Sequence, residues 1–294
     1  MVPPSFHQNS TSTSSNEVVA NTMNQIFIGS LYIVAHADDD LLFQNPDLLT
    51  ELKNQSRCMT SMYLTAGNAG LDLDYVKSRE TGSKAAYSFM IGSDASQPRH
   101  VTWTTTTASL ADQRVVIEIN NANPNVQKVW LRIPDGNYLG NGYPASNNTS
   151  LRKLYNGEIE DIRTLPIVDA PVALRRQEPM DTLFSTYTLD GLKQAISELV
   201  VLTKPVVVRT QDWRGEGRSD HSDHYTTAKL VQDVVGSKGI DIVGYVQYTI
   251  ATWPVNLDLT SENYTQKSNA FFAYAKYDNQ EVEIRDHDVV PTLS

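Results

Sequence analysis

The stretch LYIVAHADDDLLF, residues 31–43, constrains the fold more than any other. Leu31 to Ala35 is a continuous apolar run of the kind found in strands buried on both faces. It runs, with no turn residue between, into His36 and three consecutive aspartates, Asp38, Asp39 and Asp40. Adjacent carboxylates repel one another and are costly unless a positive charge lies among them or water reaches them freely. The stretch is therefore either a solvated loop or a cation site at the end of a strand.

Beyond this strand, strand and helix signals alternate, which predicts a largely parallel sheet covered by helices on both faces. Asn45-Pro46-Asp47 reads as a helix start, with Asn45 as N-cap and Pro46 at the first helical position. Met59 to Thr65 is the next strand, followed by the glycine-containing turn Ala66 to Gly70, and Val76 to Met90 carries a helical pattern. Further strands are expected at Val115 to Ile119 and at Val129 to Ile133, the latter ending in the turn signal Pro134-Asp135-Gly136. Leu189 to Leu202 repeats apolar residues at helical spacing, and Pro205 to Arg209 is a strand of the buried parallel type. His221-Ser222-Asp223-His224 leads into a helix from Tyr225 to Val235, and Gly244 to Thr252 reads as a last strand. Residues 1–24, rich in Ser, Thr and Asn, read as a flexible arm, with structure starting near Ile26 and residues 25–294 forming a single α/β domain.

Composition excludes several partners. A formal net charge of −10 over 294 residues, with no basic patch, argues against nucleic acid and anionic membrane surfaces. No apolar run approaches the roughly 18 residues that span a bilayer; even Leu192 to Val208 is interrupted by Lys193, Glu198, Lys204 and Pro205. Cys58 is the only cysteine, so any metal must be held mainly by His and carboxylates. Sequons at Asn9, Asn54, Asn147, Asn148 and Asn263 point to a secreted glycoprotein, although the first 20 residues lack the basic start and apolar core of a signal peptide.

In parallel α/β sheets, ligands bind outside the carboxyl ends of the strands. His36 to Asp40 and His221 to His224 both follow predicted strands, and they hold three of the six histidines. Catalytic zinc sites use three His or carboxylate ligands and keep a fourth position for water. One ligand from His36, one from the aspartate run and one from the second cluster satisfy that count, leaving a spare aspartate and a spare histidine for acid-base work. Calcium fits less well, because His36 is a poor ligand for a hard ion.

These residues resemble the zinc-dependent de-N-acetylases of the GlcNAc-phosphatidylinositol de-N-acetylase (PIG-L or LmbE-like) family. The family's first motif stands here as Ala35-His36-Ala37-Asp38-Asp39-Asp40 and its second, His-x-Asp-His, as His221 to His224. Weaker similarity lies in TAGNAG, SRETGSKAAYSFMIG and LRIPDGNYLGNGY between them. The resemblance implies a Rossmann-like fold with a metal site at the carboxyl ends of the strands. It further implies Zn2+ held by His36, Asp39 and His224, Asp38 as general base, and His221 as the charged or proton-donating partner with Asp223 orienting it. Arg79 and Asp135 stand where members contact substrate. The implied reaction removes an N-acetyl group from an N-acetylglucosamine-type substrate. The alternatives are a metal-dependent amidase on a non-sugar N-acyl substrate and an inactive glycan-binding protein of the same fold. The sequence departs from the family at Asp40, where Glu is usual, and the purpose of Asp40 is open.

Overall fold

A computed structural model of the chain describes residues 29–54, 57–92, 102–168, 177, 179, 183–253 and 258–279. The expected arm at residues 1–24 and the expected start at Ile26 lie outside the described residues. The apolar run forms strand β1, Ser30–Val34, every residue of which is buried. It lies between β2, Met59–Thr65, and β8, Val207–Gln211, parallel to both. Around it grows a seven-stranded sheet in the order β3-β4-β5-β2-β1-β8-β9, the others being β3 (Trp103–Leu110), β4 (Gln113–Asn120), β5 (Val126–Ile133) and β9 (Asp241–Tyr245). The five strands from β5 to β9 run parallel, while β4 is antiparallel to its neighbours β3 and β5. A small antiparallel pair, β6 (Asp161–Arg163) and β7 (Thr186–Thr188), stands apart.

The period-2 alternation of strand side chains separates two cores. Leu31 and Ile33 face one way, with Met62, Leu64, Val129 and Leu131. Helices α4 (Leu151–Tyr155), α5 (Leu189–Thr203) and α6 (Ser222–Val235) close over them through Leu154, Leu199 and Val231. Tyr32 and Val34 face the other way, with Met59, Tyr63 and Trp130. There α1 (Asp39–Phe43), α2 (Asp47–Lys53), α3 (Leu73–Gly92) and α7 (Glu262–Ala275) supply Leu41, Leu48, Tyr87 and Phe271. The sheet is thus mostly parallel and covered on both faces, a Rossmann-like architecture. Among the described residues, no helix is long and apolar enough to cross a membrane.

Four features differ from the sequence expectation. Asp47 is the first residue of α2 and Pro46 occupies the cap position, yet Asn45 Oδ1 still accepts from the Leu49 amide at 3.1 Å, capping from one residue earlier. The expected strand Gly244 to Thr252 stops at Tyr245, because its partner β8 ends at the paired Gln211; a 3₁₀ turn, Tyr248–Thr252, follows. Strand β3 was not anticipated: its Thr-rich sequence is half exposed at the sheet edge and joins β4 through Ala111 and Asp112, both at positive φ, a hairpin turn without the usual Asn-Gly signal. Helix α7 was not anticipated either, in a segment whose apolar residues come late and in a cluster.

Candidate metal and catalytic site

In this strand order, the connections from β1 run to β2 on one side, while β8 and β9 occupy the other. The switch point is therefore the crevice between β1 and β8, where parallel sheets bind ligands. His36 leaves the end of β1 and His221 to His224 open α6 after β8, so the topology brings together residues 188 apart in sequence. His36 Nδ1 lies 3.1 Å from His224 Nε2, which lies 3.1 Å from Asp39 Oδ1; Asp39 Oδ2 is 3.5 Å from His36 Nδ1. Asp39 is held in place through Oδ2, which accepts from the His36 amide at 2.6 Å and from Gln211 Nε2 at 2.8 Å.

The outer nitrogens of both imidazoles rest on carboxylates. His36 Nε2 contacts Asp223 Oδ2 at 3.3 Å, and His224 Nδ1 contacts Asp220 Oδ1 at 2.9 Å. With protons on these outer nitrogens, the inner nitrogens of two neutral rings would face each other as two lone pairs at 3.1 Å. Such a contact is repulsive unless a proton or a metal ion sits between them. The protein therefore fits a metal on three grounds: donor type, carboxylate backing that fixes each tautomer, and spacing. Ligands of a tetrahedral ion at 2.0–2.1 Å stand about 3.3–3.4 Å apart, close to the spacings here. Among the described residues two groupings could hold an ion, His36-His221-His224 and His36-Asp135-His221-Asp223, which share His36 and His221. Asp39 Oδ1 stands 3.1 Å from His224 Nε2 at the edge of the first grouping, and the Asp223 contact supplies a backing carboxylate to His36.

Protonation reflects the same geometry. Burial alone would lower the pKa of His224, but Asp39 and Asp220 outweigh it and push it up to about 9. Burial likewise opposes protonation of His36, which Asp39 and Asp223 nonetheless raise well above its ordinary value. Asp39 would be raised by burial, yet the facing His224 and His36 hold it well below the usual carboxylate range. Asp38 is raised, chiefly by burial, against the pull of Arg79.

His221 is the N-cap of α6, and its Nδ1 accepts from the Asp223 amide at 3.2 Å. An accepting Nδ1 puts the ring proton on Nε2 in the neutral form. Burial, with positive charge on His36 and His224, pushes the His221 pKa down, so the ring is neutral. Its Nε2 lies 3.8 Å from Asp135 Oδ1. Asp223, expected beside the His221 ring, instead has its carboxylate on His36 and on the Gly136 amide at 2.9 Å. A Cβ at Gly136 would overlap Asp223 Oδ1, so glycine is needed there for close approach.

Arg79 and Asp135 are both buried. Asp135 accepts from the Asn137 amide at 2.7 Å and the Ala69 amide at 3.2 Å. Arg79 bonds Asp38 Oδ1 through Nη2 at 2.7 Å, Gly67 O through Nη1, and both Tyr274 Oη and Asp278 Oδ2 through Nε at 2.7 and 2.9 Å. All three nitrogens thus serve protein groups. Tyr138 and Tyr248, by contrast, stand exposed beside the cluster, their rings 6.0 Å from that of His221 and 5.0 Å from that of His224.

Asp40 faces away from the cluster. Successive helical residues point about 100° apart, so Asp39 and Asp40 in the first turn of α1 serve different neighbours. Asp40 Oδ2 accepts from Tyr63 at 2.6 Å and Tyr87 at 2.5 Å, and Tyr63 Oη in turn accepts from Lys128 Nζ at 2.6 Å. Lys128 is fully buried, and burial lowers its pKa to about 7. Sequence reasoning missed Asp220, Gln211, Lys128 and Asp278. Only Asp220 carried a readable signal, an acid four residues before His224 and so one helical turn from it.

The family model described as PIG-L, GlcNAc-PI de-N-acetylase, matches residues 31–235, spanning both histidine-containing segments. Among solved structures, the A40926 pseudoaglycone deacetylase Dbv21 is similar with a TM-score of 0.45 and 14% identity over 84% of this chain and 81% of its own. A deacetylase of the teicoplanin biosynthesis pathway gives a TM-score of 0.49 and 15% identity over 90% of this chain and 89% of its own. No curated protein sequence matches. The chain belongs to the GlcNAc-PI de-N-acetylase (PIG-L) family.

Proposed function

We propose that the protein is a zinc-dependent hydrolase that removes the acetyl group from an N-acetylated amino sugar, giving a free amine and acetate. The observation that carries this reading is the inner-nitrogen contact of His36 and His224 beside Asp39, each ring backed by a carboxylate. His36, His224 and Asp39 would hold the ion, which when bound would supply Lewis acidity toward the substrate carbonyl and bring the pKa of water toward neutrality.

Asp38 follows the ligand His36 by two residues and has a raised proton affinity, which suits a general base near neutral pH. It takes the proton from water as the water oxygen bonds to the acetamide carbon. His221, neutral with its proton on Nε2, donates a hydrogen bond to the oxyanion that forms. Charging His221 as well would place a further positive charge against an already positive centre, so a neutral donor is favoured. Asp38 then returns its proton to nitrogen, the C–N bond breaks, and amine and acetate leave. The exposed Tyr138 and Tyr248 offer aromatic faces on which a sugar ring can stack.

The test is acetate release from a panel of N-acetylglucosamine oligomers, glycolipids and non-sugar N-acyl amines, with and without chelator. Chelation should abolish release and zinc restore it. Asp38→Asn should keep stoichiometric metal and lose at least about 100-fold in kcat, the lower range for general-base catalysis. Wild-type turnover in Asp38→Asn would remove Asp38 from the role of base. Acetate from non-sugar amines alone would reassign the substrate, and glycan binding without acetate would make the protein a lectin-like relative.

A further inference from the structure

We propose that Asp278 and Tyr274 are positioning residues for Asp38, acting through Arg79; this rests on the reading of Asp38 as the base. Both lie beyond residues 31–235, the family-matched part of the chain, in α7 and just after it. A guanidinium beside a single buried carboxylate takes it bidentately, two parallel N–H groups on two oxygens. Arg79 does not hold Asp38 in that way. Its Nε donates to both Tyr274 Oη and Asp278 Oδ2, its Nη1 to the Gly67 carbonyl, and only Nη2 reaches Asp38, at Oδ1. The fork is thereby turned so that Asp38 is gripped by one oxygen.

Asp278 is itself fixed. Tyr274 Oη donates to its Oδ2 at 2.6 Å and Tyr75 Oη to its Oδ1 at 2.7 Å, and the residue is 1% exposed. The helices that carry these groups approach closely: a Cβ at Gly82 of α3 would come within 2.8 Å of the Tyr274 carbonyl. Gly67, at φ +54, lets Arg79 lie against the turn after β2, where a Cβ would overlap Nη1. Four segments thus set one angle, that of the Arg79 plane. Without Asp278, the guanidinium loses its charged Nε partner and the anchor of Tyr274 Oη, which weakens its hold against rotating onto both oxygens of Asp38 and occupying the one that must take the proton.

The experiment compares Asp278→Asn, Tyr274→Phe and Asp278→Glu with the wild type in the zinc-loaded full chain. Metal stoichiometry, kcat, KM and the carboxyl 13C resonance of Asp38, assigned by its loss in Asp38→Asn, are measured. Asp278→Asn should keep its zinc and KM, lose about 10–100-fold in kcat as outer-shell partners do, and shift the Asp38 resonance. Tyr274→Phe, which loses one hydroxyl only, should show both effects more weakly, and Asp278→Glu should restore part of each. If Asp278→Asn does not fold, Tyr274→Phe decides. An unmoved Asp38 resonance with wild-type kcat overturns the inference, as does a lost kcat explained by lost zinc. A wild type that releases no acetate while Asp38 still responds to Asp278 overturns the proposed reaction and leaves the positioning intact.

Discussion

The Asp220–His224 and Asp223–His36 contacts suit two histidines to the proposed role of metal ligands, because each carboxylate can hold the outer proton and leave the inner lone pair pointing at the same place. Asp220→Asn keeps the shape but offers a weaker acceptor, and zinc affinity should fall by about 10–100-fold; an unchanged affinity by competition with a chromophoric chelator would show that Asp220 merely packs. The same geometry ties metal binding to protons. His224 has its pKa raised to about 9 in the metal-free protein, so at pH 7 it carries a proton that an incoming ion must displace. Its proton-linked stability is present below the ordinary histidine value and is lost as pH rises through about 9. Zinc affinity should therefore climb as pH rises toward 9, and calorimetry in two buffers of different ionisation enthalpy should register proton release at pH 7, of which the His224 share fades above 9 while that of the similarly raised His36 adds to it. Proton release independent of pH across that range would contradict the shift.

The short helix α1 is the element that turns a run of like charges into separate duties. Its first turn sends Asp39 to the ligand cluster and Asp40 into the opposite core, where Tyr63, Tyr87 and Lys128 receive it. Lys128 is the unfavourable member, with burial lowering its pKa from 10.5 to about 7. Between those values the unfolded chain holds a proton that the folded chain has lost, so this group makes stability rise with pH from about 7 to 10.5, by at most about 1.4 kcal/mol per pH unit. Relative to Lys128→Met, the wild type should gain in urea midpoint from pH 7 to 9.5; parallel profiles would mean that Lys128 keeps its ordinary affinity. Elements of this kind were unevenly legible in the sequence. Buried parallel strands such as β1 and β2 announce themselves as apolar runs. Helix α3 was readable from its helix-forming residues, although Arg79, Glu80 and Ser83 are buried beside Val76, Ala86, Tyr87 and Met90 on its inner side. Strand β3 was hidden by its exposed threonines, and α7 is defined by what it packs on, α3, which no local pattern reports. The two histidine motifs were visible. The backing of His224 by Asp220, one helical turn away, was readable too, whereas the Asp223 carboxylate on His36 and the partners of Asp40 and Arg79 come from elements far away in sequence and could be seen only once folded.

At the scale of the whole molecule, the strand order converts two distant motifs into one centre, and this couples the centre to global stability. The proposed ligands come from the end of β1 and the start of α6, segments 188 residues apart at their histidines, which meet only when β1 and β8 are paired. The unfolded chain has no comparable site, so an ion that binds the folded state adds RT ln(1 + [L]/Kd) to its stability, about 2.7 kcal/mol at one hundred times Kd. For a chain of this size each kcal/mol moves the midpoint by about 2–4 °C. Zinc at that concentration should therefore raise Tm by about 5–10 °C over the chelated protein. In His224→Ala the gain should vanish, whereas Asp38→Asn, which leaves all three ligands in place, should keep it. Differential scanning calorimetry of the three proteins, with and without zinc, separates ligand from base without any knowledge of substrate. A full zinc shift in His224→Ala would move the ligand set onto the grouping of His36, Asp135, His221 and Asp223. A lost shift in Asp38→Asn would make Asp38 a ligand in place of the base.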